Sequence, residues 1–280
     1  MQDGPQKLQV AGMGFPLVVS PDRCSLIGVV HLRATPGAPR YAGSVDEILQ
    51  LAVADARVMV GGGCDALIVE NFGDAPFFPE HVPAETVATL TRAVEAVMGV
   101  AESLPVGVNV LRNDARSGLG ICAATGASFL RINVHTGAAV TDQGLLQGRA
   151  AETLRERQRL CPQVALMCDV HVKHATPLGT TEISDAAADT ARRGLADMLI
   201  VTGSATGSAP HRQEIARVRE AVGSVPILIG SGLTETNAPA LLAAANGAIV
   251  GTWLKRDGRV SEPVDETRVL RLRQAFDAIR

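Results

Sequence analysis

The stretch "VALMCDVHVKH", Val164–His174, decides how the rest of the chain is read. Side chains alternate across a strand, so residues of one parity share a face. Val164, Leu166, Cys168, Val170 and Val172 make one face apolar or thiol, whereas Asp169, His171 and Lys173 make the other polar. One apolar and one titratable face suit a closed parallel barrel, whose strands pack outward on helices and line an interior with the other parity. The same division separates Cys168 from Asp169 and His171. The run therefore does not read as a zinc site, although it holds a thiol, a carboxylate and two imidazoles.

Seven other short β-branched runs flank it: "SLIGVVHL", "DALIVEN", "PVGVNVL", "SFLRINVH", "ADMLIVTG", "VPILIGSG" and "GAIVGTWLK". Stretches of helical spacing alternate with them, such as "VDEILQLAVADARVMVGG", "AETVATLTRAVEAVMGVAE" and "TDQGLLQGRAAETLRERQRL". Ser44, Thr141, Ser184 and Thr234 are placed as N-caps of such helices. Strand–helix alternation predicts a parallel sheet. Eight units predict an α/β fold of the (β/α)8 TIM barrel type, with a doubly wound sheet as the alternative. Residues 1–24 form a predicted N-terminal arm or barrel plug, and 25–280 a single barrel domain.

The parity test carries to the other strands. Arg131, Asn133 and His135 face inward in the fourth run and Asn109 in the third, with Asn113 just past its end; Glu70 and His31 end the second and first. Barrel interiors are usually filled with branched apolar side chains, and buried polar groups are costly without partners. A polar lining at the carboxyl ends of the strands therefore predicts an enzyme. Each residue also has a plain structural reading. Arg131 and Asp169 read equally as a structural ion pair, His31 and His171 as satisfied core histidines, and Cys64 and Cys122 as packing. Lys173 has three readings: a Schiff-base nucleophile, a general acid, or a cation for phosphate or pyrophosphate.

The last three runs end in "VTGSATG", "IGSGLTETN" and "VGTWLK". Glycine lets backbone N–H groups approach a phosphate, and barrels often place a phosphate in the loops after the last two strands. Gly203, Gly230, Ser231, Gly232, Gly251 and Thr252 are the predicted phosphate-binding residues. No G-x-G-x-x-G follows the first run, so no nicotinamide or flavin cofactor is expected.

The net charge of −3 and an aromatic content of 3% leave neither a basic footprint nor a stacking platform for nucleic acid. No apolar run reaches the roughly 18–20 residues of a membrane helix, and the start has no signal-peptide pattern. A cytoplasmic protein with no membrane partner is expected. The five cysteines are scattered and odd in number, so they read as reduced thiols, with no zinc expected.

Together, "GVVHLRATPGAPRY", "DALIVENFGDAPF", "PVGVNVLRNDA", "FLRINVHTGAAVTDQG", "DVHVKHATPLG", "IVTGSATG", "LIGSGLTETN" and "IVGTWLKRDGR" resemble the BtpA/SgcQ family, from about Ile27 to Arg268. The resemblance implies a phosphate-binding TIM barrel. One branch is named for photosystem I biogenesis, and SgcQ-like members are described as nucleosidases. The matching polar positions are Glu70, Asn71 and Asp74; Asn109, Arg112, Asn113 and Asp114; and Asn133, His135, Asp142 and Gln143. Asp169, Lys173, His174, Thr202, Ser231, Gly232 and Thr252 complete the set. His171 departs from the pattern.

The preferred expectation is glycosidic-bond chemistry at the anomeric carbon of a phosphosugar, by N-glycosyl transfer or nucleoside-type cleavage. Glu70 or Asp169 would stabilise the oxocarbenium-like state, His135 would serve as acid or base, and Lys173 would hold a phosphate or pyrophosphate. Asn109, Asn113, Asn133, His171 and Thr202 are expected to bind substrate. Glu70, Asp74 and Asp114 are the candidates for a Mg2+ ion. The rivals are an aldolase, epimerase or isomerase using Lys173 or His135, and a non-enzymatic assembly factor. Barrels often associate through their helical shells, so a homo-oligomer is expected.

Overall fold

The computed structural model describes residues 18–20, 23–179 and 182–279. Eight parallel strands close a barrel: β1 (Ser25–His31), β2 (Ala66–Glu70), β3 (Val106–Asn109), β4 (Phe129–Ile132), β7 (Ala165–Val170), β9 (Met198–Val201), β10 (Ile227–Ile229) and β11 (Gly247–Val250). Each pairs with its neighbours in chain order, and β11 closes on β1 through Ser25↔Gly247 to Gly28↔Val250. Between them run α1 (Val45–Gly61), α2 (Ala84–Met98), α3 (Ala115–Thr125), α4 (Ala150–Leu160), α5 (Ile183–Ala188), α6 (Arg212–Val222) and α7 (Ala238–Leu242), with α8 (Glu266–Asp277) last. The architecture is a (β/α)8 TIM barrel. Among the described residues no helix is long and apolar enough to cross a membrane.

The parity rule explains the two cores. Leu166, Cys168 and Val170 of β7 pack outward with Val106, Val108, Leu130 and Ile132 against the helices. Ile27, Ile68, Phe129, Met167, Ile200, Leu228 and Ile249 fill the inside, with Val18 of the N-terminal segment buried against them. Gly107 makes room for the Phe129 ring, because a Cβ there would lie 2.3 Å from it. Most of the predicted N-terminal arm lies outside the described residues.

Ser44 caps α1 by accepting from the Glu47 N–H at 3.1 Å. Three other helix starts differ from the expectation. Thr141 starts no helix: it ends β5 (Ala138–Thr141), which pairs with β6 (Gly144–Gln147) and β8 (Ala175–Leu178) in a small antiparallel sheet outside the barrel. Gly144 takes the left-handed conformation that this tight turn needs, and α4 starts only at Ala150. Ser184 lies inside α5, whose N-cap is Glu182. Thr234 precedes α7 by a turn, its Oγ1 accepting from the N–H of Asn237, the actual N-cap.

Candidate functional site

The polar residues gather at the carboxyl ends of the barrel strands, in two tiers with different roles. The lower tier is a network centred on Asp169. Arg131 on β4 grips Asp169 on β7 with two hydrogen bonds of 3.1 Å each, and Asn133 donates to the same carboxylate at 2.7 Å. The Asp169 side chain has no exposed surface. A carboxylate used up in this way orders the barrel mouth and has no face left for a substrate.

Glu70 stands differently. Its Oε1 accepts from Asn109 at 3.0 Å, and its Oε2 lies 3.7 Å from Nε2 of His31. Burial pushes the His31 imidazole well below its ordinary pKa, and the nearby Lys255, Lys173 and Arg131 push it the same way, so the ring is neutral. Its Nδ1 is buried without a partner, and the ring rests on Phe72 at 4.7 Å. Lys173 makes no side-chain hydrogen bond or ion pair with a described residue. Burial lowers its pKa, with Arg131 and Arg112 adding to the effect and Glu70 and Asp169 opposing it.

Two cavities meet at this point. The smaller, about 410 Å3, is walled by Gly230, Ser231 and Gly232 after β10, and by Gly251 and Thr252 after β11. The backbone N–H groups of Ser231, Gly232 and Leu233 donate to no described residue. The larger, about 970 Å3, opens toward the loops after β1 and β2 and the segment after β11. His31, Glu70, Lys173 and Thr206 line both.

Of the four side chains expected to be catalytic, the structure brings together Glu70 and Lys173. Asp169 lies beneath them. His135 lies elsewhere: β4 ends at Ile132, so strand alternation no longer governs it, and its Nε2 contacts the Gly194 carbonyl at 2.8 Å. Gly194 leaves the room for this ring, since a Cβ there would come within 3.0 Å of it. The inward placement expected for His135 is thus corrected, and His31 takes its place beside Glu70.

His171 also leaves the strand pattern. β7 ends at Val170, and His171 has a positive φ of 50°. Its carbonyl accepts from the Thr202 hydroxyl at 3.4 Å. Asn113 donates to and accepts from the Val134 backbone at 3.0 and 2.8 Å, pinning the loop after β4. Asn109, Asn113, Asn133, His171 and Thr202 line neither cavity. Gly203 is pressed against Ser208, whose carbonyl oxygen would be 2.1 Å from a Cβ, so it shapes the loop rather than the cavity wall.

The three Mg2+ candidates do not converge. Asp74 accepts from the Thr35 N–H at 2.7 Å and from Asn71 at 3.0 Å, tying two loops together. Asp114 caps α3 through the Ser117 N–H at 3.0 Å and also holds the Val82 N–H at 2.9 Å. Among the described residues no group of three or more His, Cys, Asp or Glu is placed to hold a metal ion. This donor set does not fit a resident Mg2+.

Sequence reasoning missed Thr206 and Gly207 in the wall of the smaller cavity, and Arg268, which stacks on Trp253 at 3.9 Å. The loop "GSATG" was the available signal for the first two. Arg268 belongs to a helix face and left no signal.

Similarity to known proteins agrees with this geometry. The profile of the BtpA family matches residues 22–278. The Photosystem I biogenesis protein BtpA of Synechocystis sp. is 45% identical over 244 residues, covering 87% of this chain and 85% of that protein. An uncharacterized protein of Thermococcus kodakarensis is 43% identical over 259 residues, covering 92% and 97%. Among solved structures, N-(5'-phosphoribosyl)anthranilate isomerase from Pyrococcus furiosus superposes with a TM-score of 0.58 at 11% identity, covering 91% of this chain and 100% of that one. The thiamine phosphate pyrophosphorylase from the same organism gives 0.56 at 12% identity, covering 90% and 95%. At such identities the likeness is one of fold. The relatives by sequence settle the family: this chain belongs to the BtpA family.

Proposed function

We propose that this protein is a phosphate-binding barrel enzyme acting on a phosphorylated sugar, with glycosidic-bond chemistry at the anomeric carbon. The observation that carries the reading is the meeting of a glycine-walled cavity with a larger one at Glu70, His31 and Lys173. Free backbone N–H groups suit phosphate oxygens. Glu70, steadied by Asn109, stabilises positive charge that develops on the sugar ring. Neutral His31 exchanges the proton of the leaving or attacking group, and the Lys173 ammonium balances anionic oxygens near the reacting carbon.

The test is thermal unfolding with phosphosugars, sugar pyrophosphates and nucleotides. A ligand at about 100 times its Kd stabilises the fold by about 2.7 kcal/mol. Stabilisation by a phosphosugar that Ser231→Asp abolishes supports the reading. A flat response across the panel removes it.

One observation favours a second reading: Lys173 is an unpartnered amine whose pKa burial lowers, as a Schiff-base nucleophile requires. Borohydride reduction with a carbonyl substrate decides between the two. A covalent adduct at Lys173 replaces glycosidic chemistry with aldolase chemistry.

A further inference from the structure

The larger cavity exceeds what a phosphosugar needs. Pockets of about 300–1,000 Å3 hold whole drug-sized ligands, so the 410 Å3 cavity takes a phosphosugar and leaves 970 Å3 beside it. The walls of this second space are substantially apolar, with Ile48, Leu51, Phe72 and Phe77 among them. One guanidinium there is buried and forms no ion pair with a described residue.

Arg112 lines the larger cavity and is 4% exposed. It donates to the Lys173 carbonyl at 2.6 Å, its Nε is buried without a partner, and it forms no ion pair with a described residue. Burial disfavours this charge; Asp169, Asp142 and Glu70 act on it from a distance but none pairs with it, and its fork of donors matches the two oxygens of a carboxylate or phosphate. Arg131, one strand away and equally buried, shows the contrast: its bidentate partner is Asp169.

We propose that the larger cavity is a second subsite, taking a flat, largely apolar group whose anionic end, a carboxylate or a second phosphate, pairs with Arg112. The inference extends the phosphosugar reading, since Lys173 and Glu70 then stand between the two bound groups. It depends on that reading only for the occupant of the glycine-walled cavity.

Calorimetric titration tests it, with benzoate and phenyl phosphate as the flat anions and ribose 5-phosphate as the probe of the glycine-walled cavity. Benzoate or phenyl phosphate should bind together with ribose 5-phosphate without competition, and the tighter of the two identifies the anion. Arg112→Met should weaken the flat anion ~10- to 100-fold, the loss of a charge-assisted pair, and leave ribose 5-phosphate within about twofold. Arg112→Lys keeps the charge without the fork, should retain part of the affinity, and carries the test if Arg112→Met does not fold. Ser231→Asp should show the reverse pattern.

Three results overturn the proposal: competition between the two classes of probe, flat-anion binding that ignores Arg112→Met and Arg112→Lys, or no flat-anion binding at millimolar concentration. Binding of a flat anion with no binding of ribose 5-phosphate defeats the phosphosugar reading alone and leaves the second subsite standing.

Discussion

Two halves of one barrel interior, built by the same strands and the same parity, have opposite chemistry. Two residues along each strand are enough to change it. Met167 gives way to Asp169 on β7, Phe129 to Arg131 on β4, Ile68 to Glu70 on β2, and Val29 to His31 on β1. On β10 and β11, Leu228 and Ile249 are followed by Gly230 and Gly251, which widen the mouth. The lower half rests on contact and volume. The upper half rests on pairing, and what it leaves unpaired is available to a ligand.

Substitutions on β7 probe this contrast most strongly. Asp169→Ala strands the Arg131 guanidinium in a dry setting and should cost about 3–5 kcal/mol, measured by urea unfolding. Replacing both partners, Arg131→Met with Asp169→Leu, should recover most of that loss. If the double variant is no better than the single one, the pair is not the source of the stability. Two residues down, Met167→Ala should cost about 2–5 kcal/mol through a cavity, with no double variant able to rescue it by charge.

Lys173→Met should act in the opposite direction. Removing a partly buried, unpartnered ammonium should stabilise the fold by about 1 kcal/mol while abolishing phosphosugar binding. The pH dependence follows from the lowered pKa. Between the folded value and the unfolded value of about 10.4, the unfolded chain holds the proton and the folded chain does not. Stability therefore rises with pH across that window, and Lys173→Met should flatten the slope. An unchanged slope would place the ammonium in a better-solvated setting than the barrel mouth provides.

The smallest effect belongs to the rim. His174 Nε2 accepts from the Thr206 N–H at 3.2 Å and meets its hydroxyl at 3.0 Å, joining the loops after β7 and β9. Burial, then Lys173 and Arg112, lower its pKa from 6.5. The link is present above the unfolded pKa and is lost as pH falls through the folded one, because the imidazolium cannot accept. His174→Ala should cost about 0.5 kcal/mol, and the protection of the Thr206 amide against hydrogen exchange, relative to the intrinsic rate at each pH, should fall in acid in the wild type but show no such step in the variant.

The barrel was legible because alternation and strand–helix rhythm are local properties, and Leu166, Cys168 and Val170 obey them residue by residue. Legibility failed where the strand stopped. His135 and His171 were placed by a period that ends at Ile132 and Val170, and the β5–β6 hairpin was hidden in a stretch with helical spacing. Glu70 and Asp169 look alike in sequence. What separates them is the number of donors that the fold brings to each, and those donors come from elsewhere in the chain.

The glycines inside the barrel also constrain how it can change. A Cβ at residue 230 would sit 2.5 Å from Ile200 and 2.7 Å from Thr202, and one at residue 107 would strike Phe129. Neither glycine can be enlarged until its neighbour has been made smaller, so the order of substitutions matters. A lineage that first lost the ring at position 129 would find position 107 open, whereas one that began at 107 would meet a collapsed core. At the mouth, Gly230 and the Ile200 and Thr202 side chains at the end of the neighbouring strand can diverge only together, so this wall should accept new chemistry more slowly than the roomier wall opposite.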